Sequence, residues 1–238
     1  MPRTFRISPG AAVVVTIVVL AILNVVDIRV PHASLYVAPL TVAGLVALAR
    51  FAGLSWRDLG LGPGTWKPGL KWAGAIIAIV AVVLAAGAAL PLTREAFRDT
   101  RYHVDLGSAL LTALVLIPVG TVLVEEVAFR GVLWGLLRRV RGTGTATVVS
   151  SILFGLWHIL PSLGLASDNE AISGAVGSGG SARVGTVLAT VVFTGLSGVV
   201  FCELRRRSGS VLAPAGLHWA TNALSVLASA AVWAWGTR

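Results

Sequence analysis

Five ionisable side chains interrupt stretches of the sequence that are otherwise almost entirely apolar: Glu125, Glu126, Arg130, His158 and His218. Burying a charge among apolar groups is costly unless it is paired, so such residues mark either a structural ion pair or a functional site. Carboxylates and imidazoles are also the groups that most often transfer protons in enzymes. These residue types therefore point to acid–base chemistry at a buried site.

The two neighbouring carboxylates are predicted to differ in role, because only one of them has an obvious partner. Glu126 and Arg130 are four residues apart, so their side chains can meet on one face of a helix and form a structural ion pair. Glu125 is rotated about 100° from Glu126 around the same helix. It is left without a countercharge, which favours its use as a general base.

Two histidines and an asparagine supply the groups that such a base needs. Asn222 follows His218 by four residues, so the two side chains face the same side of one helix. Glu125 can take a proton from water and so make a nucleophile. The imidazole N–H groups of His158 and His218 and the amide of Asn222 can stabilise a developing oxyanion. Together the four residues predict a hydrolase that activates water.

A metal version of the same site would use three of these residues. Glu125, His158 and His218 match the ligand set of catalytic zinc sites that have two histidines and one glutamate. The His-Glu-x-x-His motif of soluble zinc proteases is absent. If Glu126 is committed to Arg130, no carboxylate is left to orient both histidines. We therefore favour a metal-free site without a cofactor, and zinc is the alternative.

The chain that must position these residues is far more apolar than a soluble domain. Of its 238 residues, 56% are hydrophobic and 12% are charged, and its mean hydropathy is +0.86. Soluble domains average about 45–50% apolar and about 25% charged residues, so soluble, disordered and coiled-coil classes are excluded. The single cysteine, Cys202, excludes an intrachain disulfide. The composition predicts an all-α, polytopic transmembrane helical bundle with an intramembrane cavity, in one membrane domain of residues 1–238.

Seven apolar segments are predicted to be spans, or eight if one of them is broken. They are residues 11–26, 34–52, 70–91, 107–137, 144–160, 184–204 and 211–235. The 107–137 stretch would be about 46 Å long as a straight helix against about 30 Å of hydrocarbon, so Pro118 and Gly120 are expected to kink or break it. Residues 161–183 are rich in Gly, Ser and Ala, which predicts a flexible loop.

Depth along the helices independently favours a shared site. Counted from the predicted cytoplasmic ends at about 1.5 Å per residue, Glu125 and His158 lie about 20 Å deep. His218 and Asn222 lie about 12 and 18 Å deep on the same scale. The four polar groups, carried by three helices, are thus expected to line one cavity.

The net charge of +9 is assigned to membrane topology and not to nucleic-acid binding. With the N-terminus inside, twelve basic residues fall on the cytoplasmic face and six on the other, and the clusters at 138–141 and 205–207 lie on the richer face.

Residues 11–26 resemble a signal peptide, but no A-x-A-like cleavage site follows, so they are taken as the first span. We expect an integral membrane protein in contact with membrane lipid, with a cytoplasmic N-terminus. The abundance of Ala, Gly, Val and Arg favours a bacterial cytoplasmic membrane.

Three motifs in these segments resemble those of the CPBP family of intramembrane proteases, which includes the CaaX prenyl protease Rce1 and bacterial Abi-type proteins. Residues 125–130 (EEVAFR) fit E-E-x-x-x-R, residues 154–158 (FGLWH) fit F-x-x-x-H, and residues 218–222 (HWATN) fit H-x-x-x-N. The resemblance covers residues 107–230, which it marks as the protease core.

The resemblance implies an intramembrane endopeptidase whose catalytic residues are Glu125, His158, His218 and Asn222. It implies a peptide or protein substrate that enters from the cytoplasmic side or from the bilayer. Members of the family are labelled metalloproteases, although a metal-free glutamate mechanism is also argued for them.

Other functions are also compatible with the sequence. Residues 195–198 (GLSG) match the G-x-S-G nucleophile motif of rhomboid serine proteases, with His218 on the next span, although small residues also suit helix packing. Intramembrane Glu, His and Arg side chains also build proton-coupled transporters. A non-catalytic membrane binding or immunity protein is a further alternative. Trp157 and Trp219, which adjoin the two histidines, are assigned to packing.

Overall fold

The computed structural model describes residues 7–30, 33–164 and 180–236, and the regular structure in this part of the chain is entirely helical. Seven long helices follow one another along the chain, which confirms the predicted all-α bundle. They are α1 (Pro9–Arg29), α2 (Ala33–Phe51), α3 (Pro63–Ala89), α4 (106–141), α5 (143–157), α6 (Gly180–Ser208) and α7 (Leu212–Gly236). Residues 165–179, most of the predicted loop, and the basic residues Arg3 and Arg6 lie outside the described part.

Helix α4 continues through Pro118, where the sequence predicted a kink or a break. It is π-helical over Thr112–Leu116, Pro118–Val122 and Glu126–Leu133. In these turns an N–H group bonds the carbonyl five residues back, as Leu123 does with Pro118. A proline ring clashes with the carbonyl four residues back in an α-helix, and the wider turn accommodates it without a break.

The chain reverses at Gly142, which separates α4 from α5. Gly142 has φ 81° and ψ 172°, a combination that is essentially restricted to glycine. Helix α5 then packs back along α4, where Ser150 Oγ donates to the carbonyl of Phe129 at 3.2 Å. Trp134 Nε1 donates to Thr147 Oγ1 at the same distance. The reversal carries the end of α5, with His158, back to the carboxylates of α4.

The apolar core surrounds the middle of α4. Buried side chains from α1, α2, α4, α5 and α6 form the largest cluster, with Phe129, Trp134 and Phe154 among its largest members. Helix α6 packs along α5, and α7 packs on α3 and reaches α4. The polar centre of α4 is therefore enclosed by helices on several sides.

Three segments that carry arginines meet at one end of the bundle: residues 52–62, 138–142 and 205–211. Arg138 Nη2 lies 3.0 Å from Asp58 Oδ1, and the N–H of Val211 donates to the carbonyl of Gly60 at 3.2 Å. The other end carries residues 90–105 and the last turns of α7, where His103 stacks on Trp233. The basic clusters thus gather on one face, as the alternation of spans predicts.

The outer surface of the bundle is apolar. Val82, Leu188 and Phe193 are 70%, 60% and 71% exposed. Four helical segments are long and apolar enough to cross a membrane, namely Pro9–Arg29, Pro63–Ala89, Leu106–Trp157 and Arg183–Ser208, and Leu35–Phe51 is a shorter apolar helix. Exposed apolar side chains on long helices are stable only in lipid, so the chain is an integral membrane protein.

Replacing Gly142 with alanine is expected to lower the free energy of unfolding by about 1–3 kcal/mol, because a Cβ is disfavoured at this φ and ψ. An added Cβ would meet no atom within 4 Å, so the cost is conformational. Gly144→Ala is the matched control, since Gly144 is helical and equally unobstructed. Thermal unfolding of both variants in one detergent measures the difference, and equal midpoints would contradict the importance of this turn.

Candidate active site

Three helices bring one carboxylate and two imidazoles together. Glu125 lies on α4, His158 directly follows α5, and His218 lies on α7. Oε2 of Glu125 is 3.9 Å from Nε2 of His158 and 3.9 Å from Nε2 of His218. Glu125 and His218 are each 5% exposed, so the three groups converge in the protein interior.

The ring of His218 lies between the two neighbouring carboxylates of α4. Its Nε2 faces Glu125, while its Nδ1 contacts Oε1 of Glu126 at 2.8 Å. Helical spacing predicted only Arg130 as the partner of Glu126, but in the structure Glu126 also orients a histidine. The reason is that Oε1 has more than one lone pair and both donors reach it.

Glu126 and Arg130 form the ion pair expected from their spacing, with Nη1 3.2 Å from Oε1. Both side chains are buried, and the Arg130 guanidinium carbon lies 3.8 Å from the ring centroid of Phe154 and 4.7 Å from that of Phe201. The aromatic faces add a cation–π attraction to the charge pairing. Arg130 is thereby held in place between Glu126 and these two rings.

The backbone and an indole fix the remaining site atoms. Nδ1 of His158 contacts the carbonyl of Phe154 at 2.8 Å, which fixes the plane of that ring. Trp157 Nε1 donates to Oε1 of Glu125 at 3.0 Å, so this tryptophan does more than the packing that the sequence suggested. Oε2 of Glu125 is buried and has no hydrogen bond within the described residues. One oxygen of Glu125 is therefore anchored, and the other has no hydrogen bond to a described residue.

Asn24 of α1 is a site residue that the sequence analysis missed. Its Nδ2 donates to the carbonyl of Trp157 at 2.7 Å, and so it supports the residue that holds Glu125. An asparagine within the apolar run of α1 was the available signal. Trp219 is also more than a packing residue, because its Nε1 donates to the carbonyl of Ala113 at 2.9 Å and ties α7 to α4.

A cavity of about 210 Å³ opens onto Glu125 and His158. Asn24 and Asp27 of α1 and Thr121 of α4 line it as well. His218 and Asn222 are not among the lining residues, so only two of the four residues expected to line one cavity do so. Asn222 is half-buried on α7 and makes no side-chain hydrogen bond to any described residue. The structure thus brings three of the four predicted residues together and leaves Asn222 one helical turn from His218.

The residue types at this site suit zinc better than the distances between their ligand atoms do. Each histidine has an oxygen partner at Nδ1, as zinc-binding histidines do, and both Nε2 atoms face a glutamate oxygen. Tetrahedral coordination with bonds of about 2.0–2.1 Å puts ligand atoms about 3.4 Å apart. The separations here are 3.9 Å, and the described residues contain no group of three or more His, Cys, Asp or Glu side chains placed to hold a metal ion. The residue types thus match a zinc ligand set, while the distances in this arrangement are wider than those between zinc-bound ligand atoms.

Residues 107–224, about half of the chain, match the family model described as Rce1-like, type II CAAX prenyl endopeptidase. The matched range lies within the predicted core of residues 107–230 and includes every candidate site residue from Glu125 to Asn222, but not Asn24. Comparison with curated proteins and with solved structures finds no match. With the three motifs placed on adjoining helices, the family match confirms the resemblance, and the chain belongs to the Rce1-like family of type II CAAX prenyl endopeptidases.

Proposed function

We propose that this protein is an intramembrane endopeptidase in which Glu125 activates the water that hydrolyses a peptide bond. The observation that carries the proposal is the convergence of Oε2 of Glu125 with two imidazole Nε2 atoms, both at 3.9 Å, in a buried polar centre. The endopeptidase family to which the chain belongs fits the same chemistry.

The contacts at Nδ1 of His158 and His218 determine where a water would bind. Nδ1 of each histidine faces an oxygen acceptor, so in the neutral ring Nδ1 carries the proton and Nε2 presents a lone pair. A water can donate one hydrogen to Oε2 of Glu125 and the other to one of these nitrogens. Two straight hydrogen bonds of about 2.8 Å from one water place its acceptors about 4.4 Å apart. The observed separations of 3.9 Å are somewhat shorter, so a water would bridge the two atoms with bent hydrogen bonds.

The proposed reaction proceeds by proton transfer through Glu125. Its Oε2 takes a proton from the water as the water oxygen bonds to the carbonyl carbon of the substrate. The negative charge that develops on the carbonyl oxygen is stabilised by the amide N–H of Asn222. The carbon–nitrogen bond then breaks, and Glu125 returns its proton to the leaving nitrogen. Glu125 is a carboxylate at the start and at the end.

Glu126 and Trp157 are positioning residues in this proposal. Glu126 holds the His218 ring by Nδ1, and Arg130 compensates its buried charge. Trp157 holds the unreactive oxygen of Glu125 and so directs the other oxygen at the water. Fixed donors and acceptors of this kind reduce the reorganisation that the reaction requires.

The substrate is proposed to be a peptide or protein segment that reaches the cavity from the bilayer, because Asp27 and Ile28 in the cavity lining lie at the end of α1 away from the arginine-rich end. A second cavity of about 370 Å³ adjoins the polar one and shares Asn24 and Trp157 with it. Its other lining residues are apolar, so it suits an apolar part of the substrate.

The serine-protease alternative is less well supported by the placement of its residues. Ser197 Oγ donates to the carbonyl of Phe193 on its own helix at 2.9 Å. A Cβ on the neighbouring Gly198 would lie 3.0 Å from Cα of Ser151, so this segment of α6 packs closely on α5. A small-residue helix contact accounts for the motif. Cleavage assays decide between proteolysis and the transporter or binding alternatives.

The two neighbouring carboxylates are expected to respond differently to substitution. Glu126→Gln leaves Arg130 buried without a countercharge, which costs about 3–5 kcal/mol and should lower the yield of folded protein. Glu125→Gln should fold normally and lose peptide cleavage. Size-exclusion yield in detergent and cleavage of fluorogenic peptides, prenylated and unprenylated, measure the two effects. Equal loss of yield in both variants would contradict the assigned roles.

Trp157→Phe tests the positioning of Glu125. A smaller aromatic ring remains, while a hydrogen bond to a charged group is lost. That bond is worth about 1.5–3 kcal/mol, so kcat should fall about 10- to 100-fold with little change in KM. Trp219→Phe is the control, since it loses a bond to a backbone carbonyl away from Glu125 and should change stability more than kcat. An unchanged kcat for Trp157→Phe would show that the indole only packs.

Two further experiments test the oxyanion donor Asn222 and the need for a metal ion. Losing one donor in Asn222→Ala should lower kcat about 10²–10³-fold while some turnover remains.

Wild-type protein should keep its activity with a strong chelator, and elemental analysis should show no stoichiometric zinc. Zinc at one equivalent, with activity that stops on its removal and metal that is lost in His158→Gln, would overturn the metal-free mechanism.

A further inference from the structure

A separate cavity of about 860 Å³ at the arginine-rich end of the bundle carries more positive charge than the protein balances. Five arginines line it, together with Asp58, two tryptophans and the first turn of α3: the arginines are Arg50, Arg57, Arg138, Arg205 and Arg206. None of its lining residues belongs to the cavity at Glu125. The cavity is therefore distinct from the candidate active site.

Carboxylates compensate only two of these arginines. Arg138 pairs with Asp58, and Arg206 pairs with Glu203 at 2.6 Å. Burial raises the pKa of the Asp58 carboxyl, but the hydrogen bonds from Ser55 and the charge of Arg138 together lower it by more. The net pKa is below the usual value, so Asp58 is ionised at neutral pH. For Arg50, Arg57 and Arg205, the described residues offer no carboxylate within 4.0 Å.

Arg205 is the most unusual member of this group because it is only 3% exposed. One guanidinium nitrogen donates to the carbonyl of Asp58 at 2.8 Å, while its Nε is buried and has no partner among the described residues. A buried charge normally has a counter-ion. Carbonyl oxygens do not supply one, so an anion in this cavity would compensate the charge of Arg205.

The surroundings hold the Arg205 guanidinium in place. Its central carbon lies 5.3 Å from the ring centroid of Trp134. On the other side is Gly60, where φ is +71° and an added Cβ would lie 2.5 Å from that carbon. The close approach requires a glycine, so the local backbone is shaped around this guanidinium.

We propose that this cavity binds a phosphate group, with Arg57 and Arg205 as its principal ligands. Guanidinium groups bind phosphate oxygens through pairs of parallel N–H donors. Arg57 is exposed, and its side chain makes no hydrogen bond or ion pair with a described residue, so it is free to bind. The first turn of α3, with no side-chain cap at Gly62, adds its positive end to the same cavity. The phosphate is supplied either by an anionic lipid headgroup at the membrane surface or by a soluble phosphate.

Binding to purified full-length protein in neutral detergent tests the proposal without any cleavage assay. The probes are phosphatidylglycerol in mixed micelles, inorganic phosphate at constant ionic strength, and zwitterionic phosphatidylcholine as the lipid control, each titrated by calorimetry. The variants are Arg57→Gln and Arg205→Gln. Arg141→Gln is the matched control, because Arg141 is exposed at the same end and does not line the cavity.

We expect saturable binding of phosphatidylglycerol or phosphate to the wild type, weakened about tenfold or more in each variant and unchanged in the control. Binding of phosphatidylglycerol but not inorganic phosphate identifies the lipid headgroup as the source, and binding of phosphate alone identifies a soluble ligand. No saturable binding of either, or equal weakening by all three substitutions, would overturn the proposal. If Arg205→Gln does not fold, the comparison of Arg57→Gln with Arg141→Gln decides the result.

Discussion

The carboxylate of Glu126 is the group on which the rest of the polar centre depends. A single oxygen of this side chain accepts hydrogen bonds from Arg130 at 3.2 Å and from His218 at 2.8 Å. A buried ion pair contributes little net stability, because the cost of desolvating both charges nearly offsets their attraction. Its consequence here is geometric. It joins α4 to α7 and fixes the ring of His218 with its second nitrogen toward Glu125.

The backbone of α4 determines whether that geometry is possible. Glu125 and Glu126 must both reach the same imidazole, one at each ring nitrogen, and they do so where the helix changes from an α-turn to the π-helical segment Glu126–Leu133. π-Helical turns are rare and frequently occur at functional sites. The reversal at Gly142 has an equally direct consequence, since it folds α5 back until His158 faces Glu125.

The N-terminal helices are part of the site as well as of the membrane-embedded scaffold. Asn24 lies outside the range that matches the protease family, yet it bonds the backbone of Trp157, whose indole holds Glu125. Residues 52–62, between α2 and α3, form much of the arginine-rich cavity. The family-matched core therefore depends on contacts that its own motifs do not include, and substitutions in α1 are a means of changing the geometry at Glu125.

The sequence by itself determined the class of the protein and identified the ionisable residues of its polar centre. Composition required a helical membrane bundle, because so many apolar residues cannot be buried in a soluble chain of this size. The charges in apolar segments identified Glu125, Glu126, Arg130, His158 and His218, since a buried charge is retained only where it is paired or used. Helical spacing was enough to pair Glu126 with Arg130. Each of these inferences needs only composition or local periodicity.

Only the tertiary structure decided which atoms meet. Spacing along one helix could not show that Glu126 also bonds His218, that Trp157 holds Glu125, or that Arg205 is buried without a carboxylate. These contacts join residues 92, 32 and 147 positions apart in the chain. Nor did Pro118 break α4, because a π-turn accommodates the ring that an α-turn would exclude. Such features depend on helix packing and on where the chain reverses, which local sequence rules do not specify.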